Sequence, residues 1–279
     1  MTATPGIFMC PPDHYGIEYE INPWMNRSLG AVRELAFRQW KALRDTLVSL
    51  GVAVRELHPV AGLPDLVFTA NAGLVLRDVF LSSRFKHDVR AKESPVFDGW
   101  FAANGYRVEH FPDGMYHEGA GDALFCGDVL FAGYRQRSDV AAHQWAAAHL
   151  GVRCLPLELV NPRFYHLDTC FCPVAPGEAI YFPDAFDTYG RRVLHTHVPK
   201  LIPVAEPEAH RFGCNAVVVG KTVVHNSRCP GLAADLQTAG YRSIEVELDE
   251  FLKAGGSAKC LTLRLDGEEA AAWRTANPV

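Results

Sequence analysis

The 279-residue sequence lacks a membrane-spanning segment, since no uninterrupted apolar run reaches the roughly 18 residues that a transmembrane helix requires. It also lacks a basic excess, because 27 lysines and arginines face 32 aspartates and glutamates and leave a net charge of −5. Nucleic acids and anionic membranes bind basic surfaces, so neither is expected as a partner. The first ten residues show no basic segment followed by an apolar one, which argues against a secretory signal and for a cytoplasmic protein.

Motifs for the common cofactors are missing as well. The sequence has no G-x-G-x-x-G fingerprint, phosphate-binding P-loop or G-x-S-x-G elbow, so we expect no cofactor and no serine-hydrolase chemistry. Its eight cysteines are irregularly spaced, which indicates reduced thiols rather than a disulfide framework. His166, Asp168, Cys170 and Cys172 are close enough in sequence to hold zinc, but no second Cys/His pair with ligand spacing accompanies them. We therefore expect no metal site.

What the sequence does contain is a repeat. A helix, a short strand, a loop and a hairpin recur at intervals of roughly 45 to 50 residues, within the range of propellers. Tight turns are predicted at Arg77-Asp78, Gly127-Asp128, Pro176-Gly177 and Gly220. The predicted helices cover residues 32–50, 96–104, 138–150, 184–194 and 232–239, and the predicted strands that follow them cover 52–57, 106–110, 152–157, 201–204 and 243–246.

The last repeat has only one hairpin strand, at 261–265, and Gly6–Met9 is its candidate partner. Pairing of the two chain ends would close a ring, because no single unit buries its own hydrophobic face. We therefore predict an α/β fold, a five-bladed pseudo-symmetric α/β propeller of ββαβ-type units, with residues 1–279 as one catalytic domain. The alternative is an ordinary mixed α/β sheet whose alternation of strands and helices is periodic by accident.

Polar residues of catalytic type occupy the same place in successive repeats, namely the loop before the hairpin. In a ring of pseudo-symmetric units, equivalent loops converge near the axis, so these side chains are expected in one pocket. Each alone has an ordinary explanation, such as a buried thiol, a structural histidine or a turn residue. The residues are Asp65 and Asn71, Glu118 and Asp122, His166 and Asp168, and Cys260.

Such a set has a chemical meaning. A cysteine thiolate is a strong nucleophile, and histidine passes protons near neutral pH. Several carboxylates in the same pocket suit a planar cation, because a guanidinium offers five donors in a fork that carboxylates accept. The residues therefore predict a small-molecule guanidino substrate that is attacked at its central carbon.

The motifs that carry these residues resemble those of the guanidino-group-modifying enzymes, which include arginine deiminase, dimethylargininase, amidinotransferases and the arginine dihydrolases. The similarity covers nearly the whole chain and implies the five-bladed propeller. It also implies that Cys260 is the nucleophile, that His166 moves protons with support from Glu118, and that Asp65 and Asp168 hold the guanidinium. The matching segments are 64–71 (Pro-Asp-Leu-Val-Phe-Thr-Ala-Asn, with Phe68), 118–122 (Glu-Gly-Ala-Gly-Asp), 166–169 (His-Leu-Asp-Thr), and Gly255-Gly256 leading to Cys260.

One position departs from the citrulline-releasing enzymes. Where deiminases carry an aspartate, this chain has Asn71, and the surrounding segment is similar to that of the arginine dihydrolases, as is the segment 11–25. An amide at residue 71 can donate a hydrogen bond to the ureido oxygen of citrulline, which would then stay for a second hydrolysis to ornithine. The resemblance further implies Arg90 as the partner of the substrate's carboxylate, with Asn22 near its amino group.

The sequence therefore predicts an arginine-directed hydrolase, first of all an arginine dihydrolase. A dimethylargininase or a deiminase that releases citrulline is the second interpretation, because it would share the pocket. An amidinotransferase and a non-catalytic arginine-binding protein also remain open. A homodimer is plausible from the exposed faces of a ring.

Overall fold

The computed structural model describes residues 5–276. Short strands and helices alternate along the chain in the order that the repeat predicts. The strands are β1 (Gly6–Met9), β2 (Ala53–Glu56), β3 (Gly73–Leu76), β4 (Val79–Ser82), β5 (Arg107–His110), β6 (Ala123–Cys126), β7 (Val129–Tyr134), β8 (Arg153–Glu158), β9 (Phe171–Ala175), β10 (Glu178–Tyr181), β11 (Lys200–Pro203), β12 (Val217–Val219), β13 (Thr222–Asn226), β14 (Arg242–Val246) and β15 (Leu263–Arg264). The helices are α1 (Arg33–Ser49), α2 (Asp88–Ala91), α3 (Ser94–Ala103), α4 (Val140–Leu150), α5 (Thr188–His197), α6 (Glu206–Ala209), α7 (Pro230–Thr238), α8 (Asp249–Leu252) and α9 (Trp273–Ala276).

The strands form five sheets of three strands, and all five sheets have one topology. In each, the middle strand pairs antiparallel with its hairpin partner and parallel with the strand that follows a helix. The predicted five-bladed α/β propeller is thus confirmed. We number the blades I to V as β15–β1–β2, β3–β4–β5, β6–β7–β8, β9–β10–β11 and β12–β13–β14.

Blade I closes the ring. Ile7 pairs with Arg264 and Phe8 with Leu263, so the beginning and the end of the described chain share one sheet, as predicted. Apolar side chains fill the seams between blades: one cluster joins blades I and II, one joins II and III, one joins I and V, and the largest runs from III through V. The hydrophobic core therefore lies between the blades rather than inside any one of them.

Local sequence explains the individual elements. Helix α1 buries Ala36, Trp40, Leu43 and Leu47, which recur at the spacing of one helical face. It ends where Gly51 takes a φ of 84°, a conformation that glycine adopts without steric cost. The hairpin strands are largely buried, whereas the third strand of each blade is more exposed. In blades I, II, III and V this third strand also carries most of the charged residues of the sheet.

Two expectations about helix starts were wrong. The helix of the fourth repeat begins at Thr188 instead of residue 184, because Asp187 accepts a hydrogen bond from the Gly190 N–H and caps it there (2.6 Å). Ser138 does not cap α4, since its hydroxyl donates to the Asp122 carboxylate (2.6 Å) and Asp139 takes the capping position.

No helix in the part of the chain from residue 5 to residue 276 has the length and hydrophobicity needed to cross a membrane.

Candidate active site

The loops that precede the hairpins of all five blades meet at one place. A closed circuit of five hydrogen bonds joins each loop to the next, so the loops hold one another in position. The five bonds run from Ala70 N to Cys260 O (3.1 Å), from Asn71 Nδ2 to Glu118 O (3.1 Å), from Leu167 N to Asp122 Oδ1 (3.0 Å), from Asn215 Nδ2 to Asp168 O (3.0 Å) and from Cys260 N to Asn215 Oδ1 (3.1 Å).

A narrow cavity opens where these loops meet. Six of the predicted site residues line it: Asn22, Asp65, Phe68, Asn71, Arg90 and Cys260. Ile21, Met25, Arg137, Tyr165 and Ala254 complete the wall. Glu118, Asp168 and His166 are not part of this lining. Glu118 binds the wall residue Arg137, Asp168 binds Cys260, and His166 binds Glu118.

The Cys260 sulfur is buried between Asp168 and Asn215. Its Sγ lies 3.4 Å from Asp168 Oδ2 and accepts a hydrogen bond from Asn215 Nδ2 at 3.1 Å. Burial, and next the charge of Asp168, raise the pKa of this thiol well above its usual value. The resting cysteine is therefore a protonated thiol, and a further charge is needed to convert it into a nucleophile.

The two glycines before this cysteine allow the close approach. A Cβ on Gly256 would collide with the ring of Phe68, and one on Gly255 would lie 2.9 Å from the hydroxyl of Tyr165. Gly255 also has a φ of 81°, which disfavours other residues. A side chain at either position would push the cysteine loop out of the cavity wall.

His166 is held in its neutral form beside an ionised carboxylate. Its Nε2 lies 2.8 Å from Glu118 Oε2, and Arg137 donates to the same oxygen at 2.9 Å. Burial lowers the pKa of His166 to about 4, although the bond to Glu118 opposes the shift. Burial would raise the pKa of Glu118, but Arg137 and His166 outweigh it and hold that pKa well below its usual range.

Two carboxylates offer unused acceptors. In the described region, Oδ1 of Asp65 and Oδ1 of Asp168 are buried and have no hydrogen-bond donor. Burial raises the pKa of both groups, that of Asp168 to about 7 against the opposing charge of Lys259. A buried acceptor without a donor is costly, so a ligand with several N–H groups would satisfy both.

Asn71 has a fixed amide orientation. Arg90 donates from Nη1 to Asn71 Oδ1 (3.0 Å), and Asn71 Nδ2 donates to Glu118 O (3.1 Å). Arg90 is itself held by a bidentate ion pair with Glu93 (2.8 and 2.9 Å) and reaches the backbone oxygen of Asp65 (3.3 Å). Because Arg90 binds Oδ1 and Glu118 O takes one N–H of Nδ2, Asn71 keeps one N–H for a ligand.

The remaining predicted residues are placed as follows. Asn22 binds Ala254 O through Nδ2 (3.0 Å) while its Oδ1 accepts from the N–H of Trp24 (2.9 Å), so it ties the segment above the cavity to the cysteine loop. The ring of Phe68 packs edge-on against Tyr15. Asp122, which the sequence predicts in the pocket as a substrate-binding carboxylate, does not line the cavity; its carboxylate binds Ser138 and Leu167 and positions the His166 loop.

Nothing between residues 5 and 276 resembles a metal site, since no three His, Cys, Asp or Glu side chains group suitably. All eight cysteines are free thiols.

Comparison with known proteins identifies the family of this chain. The family model described as eukaryotic N,N dimethylarginine dimethylhydrolase matches residues 17–266. A dimethylarginine dimethylaminohydrolase of Mycobacterium tuberculosis is 40% identical over 92% of this chain and 84% of its own. The chain belongs to the dimethylarginine dimethylaminohydrolase family. The resemblance to guanidino-group-modifying enzymes is thereby confirmed, and with it membership in a family of hydrolases.

Higher identities are found in larger proteins of the same superfamily. The bifunctional arginine dihydrolase/ornithine cyclodeaminases AgrE of Nostoc sp. and ArgZ of Synechocystis sp. are 46% and 47% identical over 95% and 93% of this chain. The chain spans only 38% and 37% of their lengths. It is therefore similar to one part of each.

A solved structure corresponds to that part. The N-terminal domain of ArgZ, a cysteine-to-serine mutant bound to substrate, superimposes with a TM-score of 0.91 at 45% identity and covers 96% of this chain and 99% of its own. An asparagine-to-serine variant of the same domain, covalently bonded to a reaction intermediate, gives the same TM-score at 44% identity, with the same coverage of both chains.

The sequence analysis did not identify three residues of this candidate site: Arg137, Tyr165 and Asn215. Arg137 binds Glu118 and the Ile21 carbonyl (3.0 Å), and its guanidinium lies over the ring of Tyr165 (4.7 Å). No local motif marks either residue. Asn215 could have been identified from the repeat, because it stands immediately before a hairpin, where each of the other repeats has a polar residue.

Proposed function

We propose that this chain is an arginine dihydrolase, which converts arginine into ornithine, carbon dioxide and two molecules of ammonia through intermediates on Cys260. The observation that supports this best is a buried thiol beside two carboxylates that each keep one oxygen without a donor, together with an amide at residue 71 that keeps one N–H for a ligand. The 46–47% identity to bifunctional arginine dihydrolases points to the same reaction.

The first half-reaction begins when the guanidinium enters between Asp65 and Asp168. Its charge stabilises the Cys260 thiolate, and the thiol proton passes to the neutral His166. The sulfur attacks the central carbon, His166 returns the proton to the departing ammonia, and an amidino-cysteine remains. Water, deprotonated by His166, then attacks this carbon and displaces the sulfur, which leaves citrulline.

The second half-reaction requires citrulline to stay. Its ureido oxygen accepts a hydrogen bond from Asn71, where an aspartate would repel it. A second attack by sulfur expels the remaining terminal nitrogen as ammonia, and hydrolysis of the resulting thiocarbamate releases the carbamate of ornithine, which loses carbon dioxide. We keep Arg90 and Asn22 as proposed contacts of the substrate's carboxylate and amino group, and Arg137 adds a second cation in the cavity wall.

A second candidate is dimethylarginine hydrolysis to citrulline and dimethylamine. The family model and the 40% identical relative from Mycobacterium tuberculosis favour it.

Three further expectations stay predictions: that residues 1–279 form one catalytic domain, that the protein is a homodimer, and that it is located in the cytoplasm. Sedimentation of the purified protein tests the dimer.

Product analysis distinguishes the candidates. With arginine we expect ornithine and two ammonia per turnover, and with dimethylarginine little reaction. Asn71→Asp should accumulate citrulline with one ammonia, and Cys260→Ser should form neither product. Ornithine as the sole product of Asn71→Asp would contradict the role given to the amide, and dimethylamine release by the unaltered protein would favour the second candidate.

A further inference from the structure

The hydrogen-bonding groups of the Asn215 side chain all bind Cys260 or Asp168. Both N–H groups of Nδ2 have acceptors, the Cys260 sulfur at 3.1 Å and the backbone oxygen of Asp168 at 3.0 Å. Its Oδ1 accepts from the N–H of Cys260 at 3.1 Å. Because the carbonyl must face that N–H, the amide cannot turn over, and a donor always points at the sulfur. Asn215 is fully buried, so water does not compete for these bonds.

The sulfur has no cation in contact. Among residues 5–276, the side chains that hydrogen-bond to Sγ are Asp168, an acid, and Asn215, a neutral amide. The nearby basic groups are engaged elsewhere: Lys259 binds Glu268 (2.7 Å), and His166 and Arg137 both bind Glu118. No side chain in the described part of the chain therefore places on this sulfur the positive charge that usually activates a cysteine.

We propose that Asn215 is a further catalytic residue, whose amide N–H stabilises the Cys260 thiolate by a directed hydrogen bond without placing positive charge beside a cationic substrate. This role rests on the proposed function. The amide keeps its own protons throughout, since the thiol proton goes to His166 as described above.

A neutral donor suits this site for an electrostatic reason. A lysine or protonated histidine against the sulfur would repel the guanidinium that the two aspartates bind. A hydrogen bond to an ionised sulfur is much stronger than one to a thiol, so the amide contributes most when the thiolate forms. Stabilisation that appears only in the reacting state accelerates the reaction without tightening ground-state binding.

The test is the pH dependence of Cys260 alkylation by iodoacetamide, an uncharged reagent, in the absence of substrate. Modification of the Cys260 peptide is followed by mass spectrometry. For Asn215→Asp and Asn215→Ala we expect the midpoint of the rate profile to rise by about one pH unit or more. We expect kcat for arginine to fall by about 100-fold, with a smaller change in KM.

Asn226→Asp is the matched control. Asn226 is equally buried in blade V and also binds backbone groups through both ends of its amide, but it does not touch Cys260. Its alkylation midpoint should equal that of the unaltered protein. Unshifted midpoints in folded Asn215 variants would overturn the proposal, as would an equal shift in Asn226→Asp. Loss of folding in both Asn215 variants, with Asn226→Asp folded, would make the role structural and also overturn it.

The two proposals fail separately. Alkylation does not depend on turnover, so a shifted midpoint in a protein that does not hydrolyse arginine would refute the dihydrolase alone. Ornithine formation with an unshifted midpoint would refute the role of Asn215 alone.

Discussion

At the scale of single residues, burial keeps the proposed nucleophile Cys260 protonated while no cation is bound. Burial holds Cys260 as a thiol and His166 as a neutral imidazole, while Asp65 and Asp168 have raised pKa values. In the proposed mechanism, a guanidinium opposes the shifts of the three acidic groups, because positive charge between the carboxylates favours both their ionised forms and the thiolate, while His166 stays neutral and able to accept a proton. In the proposed mechanism, the substrate's own charge therefore promotes the first attack by sulfur, whereas the second attack, on uncharged citrulline, relies on the hydrogen bond from Asn71.

The acid limb of the activity profile is predicted to follow Asp168. Its pKa is raised to about 7 by burial, and Lys259 partly opposes that rise. Because the ionised form is the one proposed to bind the guanidinium, kcat/KM for arginine should increase with pH up to about 7. Lys259→Gln removes the opposing charge, so the limb should move upward by roughly half to one pH unit.

Lys200→Gln provides the control for this measurement, since Lys200 also pairs with a glutamate but lies at the turn end of its blade. Its pH profile should match that of the unaltered protein. An acid limb unmoved in Lys259→Gln would show that another group controls it.

Site residues could be proposed from the sequence only where a motif contains them. Cys260, His166 and Glu118 stand in short segments of specific pattern, and the roles proposed for them stay predictions. Arg137 and Tyr165 could not be proposed, because they join the cavity wall through contacts such as Arg137 to Ile21, 116 positions away. Ser138 looked like a helix cap for the same reason: its partner, Asp122, belongs to a different element.

At the scale of elements, the hairpin turns explain why the repeat could be detected in the sequence. Four turns place one residue in the left-handed region: Arg77 (φ 55°), Gly127 (66°), Gly177 (78°) and Gly220 (58°). Three are glycines, which adopt this conformation freely and mark the turns in the sequence. Arg77 is the exception and carries the conformational cost that its equivalents avoid.

Replacement of this arginine should stabilise the protein. Arg77→Gly relieves the positive φ in an exposed turn, and we expect the free energy of unfolding to rise by about 1 kcal/mol. Gly127→Ala is the reciprocal variant, because a Cβ at Gly127 meets no atom within 4 Å and only the conformation is penalised. It should destabilise by a similar amount in urea titrations followed by circular dichroism. Equal stabilities of Arg77→Gly and the unaltered protein would show that the turn is not strained.

At the scale of the whole molecule, the site exists only when the ring is closed. Each blade supplies one loop to the circuit of hydrogen bonds, from Ala70, Glu118, Asp168 and Asn215 to Cys260. The closing strand β1 brings Phe8 into the seam between blades I and II, where its ring contacts Phe97, Trp100 and Phe101. A substitution in this distant seam should therefore lower activity by destabilising the closed ring.

Phe8→Ala tests this coupling. Phe8 is fully buried, so its truncation should lower the free energy of unfolding by about 3–5 kcal/mol. If the ring unfolds as one unit, loss of arginine hydrolysis and loss of the circular dichroism signal should move together to lower urea concentration. Phe37 is 44% exposed, so Phe37→Ala should shift neither the loss of hydrolysis nor the loss of the dichroism signal by a comparable amount. Activity that disappears well before the dichroism signal in Phe8→Ala would mean that the loops separate while the blades persist, and that ring closure alone does not hold the site together.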